Sequence, residues 1–306
     1  MTSTTVTRMN HNRPDLTAAA QLGKLLRARR EGLTPADVGL APGRRRHTPG
    51  LRREEVAHLA SISATYYALL EQGRARHPSP QVIDALAIAL GLVPSERDYL
   101  HALAAGESSA STEQPARETL AAGVAELVAR LDPHPTYVTG RRWDVLTSNR
   151  AARVLWTDWP ALPEPDRNLL LWMFAAPQAR EVFIEWEKEA AAQLGRFRTA
   201  AARHLTDPSF GELIDRLHAT GPQARTLWKR HDIVPLGGGR KRLRHPELGE
   251  ITLQHVVLQI AENPDHKLVT FAPTPDDEPR IAALISQADP TADNVGRVID
   301  RPPRGT

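Results

Sequence analysis

Apolar residues recur at helical spacing through the first hundred residues. Leu22, Leu25 and Leu26 share one face of the segment Ala18 to Arg30, while Lys24, Arg27, Arg29 and Arg30 lie largely on others, which predicts an amphipathic helix. Thr34-Pro35-Ala36-Asp37 offers a cap, a proline at the first helical position and an acid after it, so a short helical turn starts there. Val56 and Ala60 give the next helix its apolar face, and Ala57 is small where a second helix must cross closely. Ser61-Ile62-Ser63 reads as a turn, with Ile62 buried beneath it and Ser63 capping the second helix. Tyr67 and Leu70 lie three apart on the inner face of that helix, which ends at Gly73 after about ten residues. Val82, Ile83, Leu86 and Leu90 mark a helix begun by Ser79-Pro80, and Ser95 to Ala105 makes another.

The second half mixes periods. Leu120, Val124, Leu127 and Leu131 predict an amphipathic helix. Tyr137-Val138 and Trp143 to Leu146 read as short strands around a basic turn, followed by a helix from Asn149. Helices dominate from Leu169 to His231, the longest running from Gln178 towards Ala202. Beyond Gly237-Gly238-Gly239 the pattern turns to strand at Arg240 to Arg244, Glu250 to Ile260 and Lys267 to Phe271. That order predicts an α+β domain with an antiparallel sheet. One further helix is expected near Ile281, within a Pro-rich tail.

The run from Arg53 to Gln72 has the spacing of a helix-turn-helix, whose second helix enters the DNA major groove. Its one irregular position is Ser61, at the turn centre, where φ > 0 is required and a non-glycine residue costs roughly 1–2 kcal/mol.

Composition narrows the classes. A chain of 306 residues can bury two cores. No stretch is apolar enough to span a membrane, and the N-terminus lacks the apolar run of a signal peptide, so a cytoplasmic location is expected. With no cysteine, disulfides, thiolate metal sites and cysteine nucleophiles are excluded. Residues 1–105 hold 14 Lys and Arg against 9 Asp and Glu, a surplus of +5, so the remainder carries −2 of the total +3. The basic half suits a polyanion. Conversely, all six Trp and all five Phe lie beyond residue 140.

At this level of detail the chain resembles a family. LGKLLRARREGLTPADVGL, RRRHTPGLRREEVAHLA and YYALLEQGRARHPSPQVIDALAIAL, with YVTGRRWDVLTSNRAA, RNLLLWMF, TLWKRHDI and KRLRHPELGEITLQ, resemble bacterial XRE-type regulators that carry an MmyB-like ligand-binding domain. The resemblance covers roughly residues 16–275 and departs at Ser61, where the family usually has Gly. It implies two domains: an all-α, five-helix, lambda-repressor-like helix-turn-helix domain over 16–105, then an α+β, PAS-like ligand-binding domain with an antiparallel sheet over 116–275. Residues 1–15 are then a disordered leader, 106–115 a polar linker and 276–306 a Pro-rich tail. The resemblance also implies a small hydrophobic, acyl or fatty-acid-like ligand.

Candidate DNA contacts are Arg44, Arg45, Arg46, Arg52 and Arg53 around the first motif helix and Arg74 and Arg76 after the second, since arginines give salt-dependent phosphate contacts. The Arg44–Arg46 triplet is either a mobile loop or a basic arm for the minor groove. Ala64, Thr65, Tyr66 and Ala68 open the second helix and are its candidate base readers. They hydrogen-bond poorly, so much of the specificity is expected from the basic loop and DNA shape.

For a ligand, Trp172, Phe174, Phe183, Trp186 and Trp228 are candidate apolar lining, with Phe197 beside them, although such residues are more often simply core. Candidate polar anchors are Asn149, Arg167, Asn168 and Arg198, then Tyr137 and His255; Asn149 has a helix cap as its plain alternative. His231-Asp232 and His245-Pro246-Glu247 lack metal-ligand spacing, Ser148 lacks a nucleophile elbow, and Gly237–Gly239 lacks a phosphate-loop setting. No metal, cofactor or catalytic residue is therefore expected.

Together these features describe a non-enzymatic, ligand-responsive transcription regulator that binds a double-stranded operator as a homodimer. An enzyme with an accessory DNA-binding head and a protein-interaction adaptor are the alternatives.

Overall fold

The computed structural model describes residues 17–41, 50–75, 77–105, 118–202, 204 and 207–288. The expected leader (1–15), linker (106–115) and final part of the tail lie outside them. The described residues divide into two compact units, and the division falls within one helix, at Ala190–Ala191.

The first unit opens with α1 (Ala18–Gly32), whose N-cap Thr17 accepts from the Ala20 amide at 3.2 Å. A 3-10 turn at Ala36–Val38 sits where the Pro35 signal placed it. The motif helices are α2 (Arg53–Leu59) and α3 (Ala64–Glu71); then come α4 (Pro80–Ala89) and α5 (Pro94–Ala104). Leu22, Leu25, Leu26, Val56, Tyr67, Leu70, Ile83, Leu86 and Leu100 form one buried cluster, as their periodicity requires. Ala202 and Ile233 join that same cluster. The unit includes Ala191–Pro235: the end of α10 (Trp186–Ala201), α11 (Pro208–Ala219) and α12 (Pro222–Lys229). Chain order alone would assign these helices to the C-terminal domain.

The second unit holds Pro115–Ala190 and Leu236–Thr306. Here α6 (Val124–Arg130) is shorter than expected, since Gly123 turns left-handed before it and Leu120 packs in from the preceding coil. Strands β1 (Thr136–Thr139), β2 (Val145–Ser148), β3 (Gly239–His245), β4 (Gly249–Ile260) and β5 (Asn263–Pro273) form one antiparallel sheet in the order β2-β1-β5-β4-β3. Trp143, expected in a strand, instead has φ 69° in the turn before β2. Helices α7 (Arg150–Leu155), α8 (Leu169–Ala175) and α9 (Pro177–Val182) follow β2. The long helix expected from Gln178 is broken at Phe183–Glu185, because that segment docks on the sheet: Phe183 bridges Leu243, and the Ile184 amide donates to the Arg242 carbonyl at 3.2 Å. The helix expected near Ile281 is α13 (Glu278–Ala288), which buries Ile281, Leu284 and Ile285 and receives Arg150 at the Ile285 carbonyl. Helical packing thus continues beyond residue 275.

Alternation divides the sheet's two faces. Val138, Leu268 and Leu258 lie on one face, where Val128 of α6 packs against the first two. Tyr137, Val269, Phe271, His255, Leu253, Lys241 and Leu243 lie on the other.

Candidate DNA-binding and ligand-binding sites

The helix-turn-helix is held by local hydrogen bonds that its residues prescribe. Ser63 caps α3 by accepting from the Tyr66 amide at 3.1 Å. The Ile62 amide donates to the Ala57 carbonyl at 2.9 Å, closing the turn, and Ser61 sits at φ 54°. The strained backbone expected at this serine is present. Ile62, expected to be buried, is half-exposed at the cluster's edge. Val56, Ala57, Ala60, Tyr67 and Leu70 are buried as expected. Gly23 of α1 explains how the third helix comes so near: a Cβ there would stand 2.5 Å from the Glu71 carbonyl oxygen.

One buried carboxylate ties the motif together. Glu71 accepts from Arg30 Nε at 2.5 Å and from Arg53 Nε at 2.7 Å, and its side chain is 1 % exposed. Arg30 also donates to the Leu51 carbonyl at 3.0 Å. Burial raises the Glu71 carboxyl's pKa, but the hydrogen bonds from Arg30 and then Arg53 outweigh it, and the net displacement is downward. Arg53, a candidate phosphate contact, therefore has a structural partner that the sequence did not reveal; a carboxylate 18 positions away carries no local signal.

Of the other DNA candidates, Arg52, Thr65 and Arg74 are exposed. The Arg52 amide donates to Glu55 Oε2 at 2.7 Å, closing the first turn of α2. Ala64 and Tyr66 are half-buried against the helical cluster, and Ala68 is also half-buried. Arg44, Arg45, Arg46 and Arg76 lie outside the described residues.

The ligand candidates separate into anchors already committed to backbone and aromatics that meet. Asn149 Oδ1 accepts from the Ala152 and Thr136 amides at 3.0 and 2.9 Å, and its Nδ2 donates to the His134 carbonyl at 2.7 Å. It caps α7 and ties it to β1, so the cap is its role here. Asn168 likewise caps α8 at the Leu170 and Leu171 amides and donates to the Arg142 carbonyl and Asp144. Arg167 braces its own loop through the Leu162 and Pro160 carbonyls. These three groups answer backbone atoms that would otherwise be unpaired, which leaves them little for a ligand.

Arg198 and Trp228 fall in the first unit. Arg198 donates to the Asp232 carbonyl at 3.0 Å and to the Trp228 carbonyl, and its guanidinium lies 4.4 Å from the Trp228 ring centroid. Burial lowers its pKa. Phe197 stacks on Phe210 at 5.9 Å, within that same helical unit.

In the second unit, Tyr137, Trp156, Phe271 and His255 form a continuous layer. Ring centroids are 5.8 Å apart for Tyr137–Trp156, 4.8 Å for Trp156–Phe271 and 5.6 Å for His255–Phe271. A second chain runs Trp159–Trp172–Phe183 at 5.4 and 6.2 Å, and Phe174 meets Trp186 at 5.8 Å. The Trp186 indole donates to the Met173 carbonyl at 3.0 Å. Both nitrogens of His255 face backbone carbonyls, of Gly239 at 2.6 Å and Gly237 at 3.1 Å. Among the buried polar atoms of this unit that lack a hydrogen-bond partner within the described residues are the indole nitrogens of Trp156 and Trp159 and the Ser148 hydroxyl. Such atoms cost about 1–3 kcal/mol each unless something answers them. Trp156, Trp159 and Phe271 are not candidates from sequence, because nothing local distinguishes a ring in a mixed loop or a strand from ordinary core.

Among the described residues no group of three or more His, Asp or Glu is placed to hold a metal ion. No described helix is long and apolar enough to cross a membrane.

Comparison with known proteins agrees with this geometry. A helix-turn-helix domain model matches residues 21–100. A second model, the MmyB-like transcription regulator ligand binding domain, matches residues 120–285, more than half of the chain. No curated protein matches. This chain accordingly belongs to the MmyB-like transcription regulators, in which a helix-turn-helix DNA-binding domain precedes a ligand-binding domain.

Proposed function

We propose that this regulator acts as a cytoplasmic homodimer of the XRE type, reading a near-palindromic operator and responding, without turnover, to a small hydrophobic or acyl-type ligand held by its α+β domain. The division read from sequence, a DNA-binding module over 16–105 and a ligand module from 116, is retained with the second module extended through α13. The strand order β2-β1-β5-β4-β3 supports a PAS-like description.

The observation that carries the ligand reading is the aromatic layer with its unanswered donors. Tyr137, Trp156 and Phe271 offer apolar surface, and Trp156, Trp159 and Ser148 offer hydrogen bonds. We retain Tyr137, Trp172, Phe174, Phe183, Trp186 and His255 as lining and add Trp156, Trp159 and Phe271. Asn149, Arg167, Arg198 and Asn168 become supports. DNA contact rests on exposed Thr65, Arg52 and Arg74, with Arg44, Arg45, Arg46 and Arg76 as further phosphate contacts.

Two titrations test the reading. Duplexes selected from a random pool are titrated with the wild type and with Arg44, Arg45 and Arg46 all changed to Ala; a loss larger on the selected duplex than on a random one supports a part in specificity. An equal loss reduces the triplet to phosphate contact, with a salt slope smaller by about 0.9 per contact removed. For the ligand, tryptophan fluorescence is followed on adding a saturated fatty acid and its methyl ester. Trp159→Phe, which keeps the ring and removes the N–H, should weaken a ligand that uses this donor. Product formation from the ester would instead favour an enzyme.

A further inference from the structure

The sheet has edges at its two outer strands, and both are met by the chain itself. At β2, Asp144 bridges Asn168 and the Val145 amide donates to the Arg167 carbonyl at 2.6 Å. At β3, Phe183 bridges Leu243 and the Ile184 amide reaches the Arg242 carbonyl. A third edge lies inside the strand order. β3 pairs with β4 only from Gly249 to His255, while β4 continues to Ile260 with β5 alone. β5 is in turn occupied on its far side by β1 through Lys267 to Thr270. Residues Val256–Ile260 therefore present one side with no strand beside it among the described residues.

The departure of β3 is built in by Gly237-Gly238-Gly239. A Cβ at Gly238 would stand 2.5 Å from the His255 carbonyl oxygen, so only glycine lets the chain pass this close to β4 as β3 begins. The His255 ring lies against the carbonyls on either side of that glycine, at 2.6 Å from Gly239 and 3.1 Å from Gly237. The open segment reads Val-Val-Leu-Gln-Ile, without the Lys or Pro that ordinarily blunts an edge. Its register against β5 stays regular through Gln259 and shifts only at its last residue, Ile260. Val256 and Leu258 are 46 % and 53 % exposed on the face that carries α6, whose Leu127 is 51 % exposed.

We propose that Val256–Ile260 is the self-association surface of this protein, pairing antiparallel with the same segment of a second copy. An unpaired edge calls for a strand, and an antiparallel edge meets its own copy about a two-fold axis with its backbone groups matched. The segment carries no charge to repel itself. A register centred on Leu258 sets that residue opposite its copy and Val256 opposite the copy of Ile260, so apolar side chains cover one another. The inference rests on the regulator reading only for its expected dimer.

The chain has no cysteine, which makes single-cysteine crosslinking clean. Leu258→Cys should oxidise to a covalent dimer on a non-reducing gel, because opposed strand residues fall within disulfide reach, whereas Ile88→Cys, 78 % exposed on α4, should not. In native mass spectrometry the wild type should be dimeric. The double variant Val256→Lys, Leu258→Lys should weaken self-association by more than about tenfold. Both side chains are exposed, and circular dichroism checks that the variant folds. A double-lysine variant as dimeric as the wild type, with no crosslink at 258, overturns this surface while leaving a dimeric regulator intact. A monomeric wild type that still binds selected duplexes overturns it too, together with the dimer reading.

Discussion

At the scale of single residues, Glu71 shows how a buried charge becomes a pH dependence. Its carboxyl titrates below the ordinary 4.5 because Arg30 and Arg53 outweigh the burial that would raise it. A carboxylate with a lowered folded-state pKa adds stability that is fully present above the unfolded value. That stability is lost as pH falls through the folded one. The protection of amides in α1 and α3, relative to their intrinsic exchange rates, should therefore fall below about pH 4.5, and Glu71→Gln should flatten that dependence. Glu71→Ala removes the buried ion-pair partner of Arg30, which keeps the Leu51 carbonyl and Glu31, and should cost about 3 kcal/mol, read from the same amides at neutral pH. The residue types were legible in the sequence, but their partners were not. Arg53 looks like a phosphate contact and Asn149 and Asn168 like head-group anchors, because which backbone amide or distant carboxylate a side chain meets is decided by the fold. Asn168→Ala should destabilise the second unit by about 1–3 kcal/mol, since it orphans the two α8 amides. A urea titration followed by tryptophan fluorescence checks this, as five of the six tryptophans lie in that unit.

At the scale of elements, local signals succeeded where the causes are local. The turn Ser61-Ile62-Ser63, its cap and the left-handed serine all follow from hydrogen bonds spanning a few residues, and each was readable in advance. Ser61→Gly should relieve the strain and raise the stability of the first unit by about 1 kcal/mol, detectable as slower exchange in α2 and α3. The change leaves the face presented to DNA untouched, so affinity for a selected duplex should not move. Gly23→Ala should act in the opposite sense. Its new Cβ would meet the Glu71 and Leu70 carbonyls at 2.5 and 2.7 Å, and α1 and α3 would have to separate. Overpacking of this kind costs about 1–3 kcal/mol. Strand positions were likewise legible from alternation. Strand order was not, because it depends on pairings such as Tyr137 with Val269 that no window of sequence contains. The break at Phe183 has the same origin: helical periodicity runs through it, and only contact with β3 overrides the pattern.

At the scale of the whole molecule, the sequence placed a DNA-reading helix pair ahead of an aromatic-rich domain, and both domain models agree with that order. Less legible was the grouping of Ala191–Pro235 with the N-terminal helices, which rests on burial of Ala202 and Ile233 in a cluster far away in sequence. Function at this scale is a coupling free energy. A ligand alters operator affinity only as far as it binds two states of the protein unequally, and linkage makes the effect reciprocal. If a saturated fatty acid changes the Kd for a selected duplex by some factor, that duplex must change the Kd for the fatty acid by the same factor. Titrating each in the presence of a saturating amount of the other measures both, and agreement is required for any true effector. Trp172→Ala, which removes the ring between Trp159 and Phe183, should weaken the fatty acid while leaving ligand-free DNA affinity unchanged. The two factors should then shrink together. Loss of ligand binding with an undiminished DNA response would mean that the fatty acid acts elsewhere on the chain.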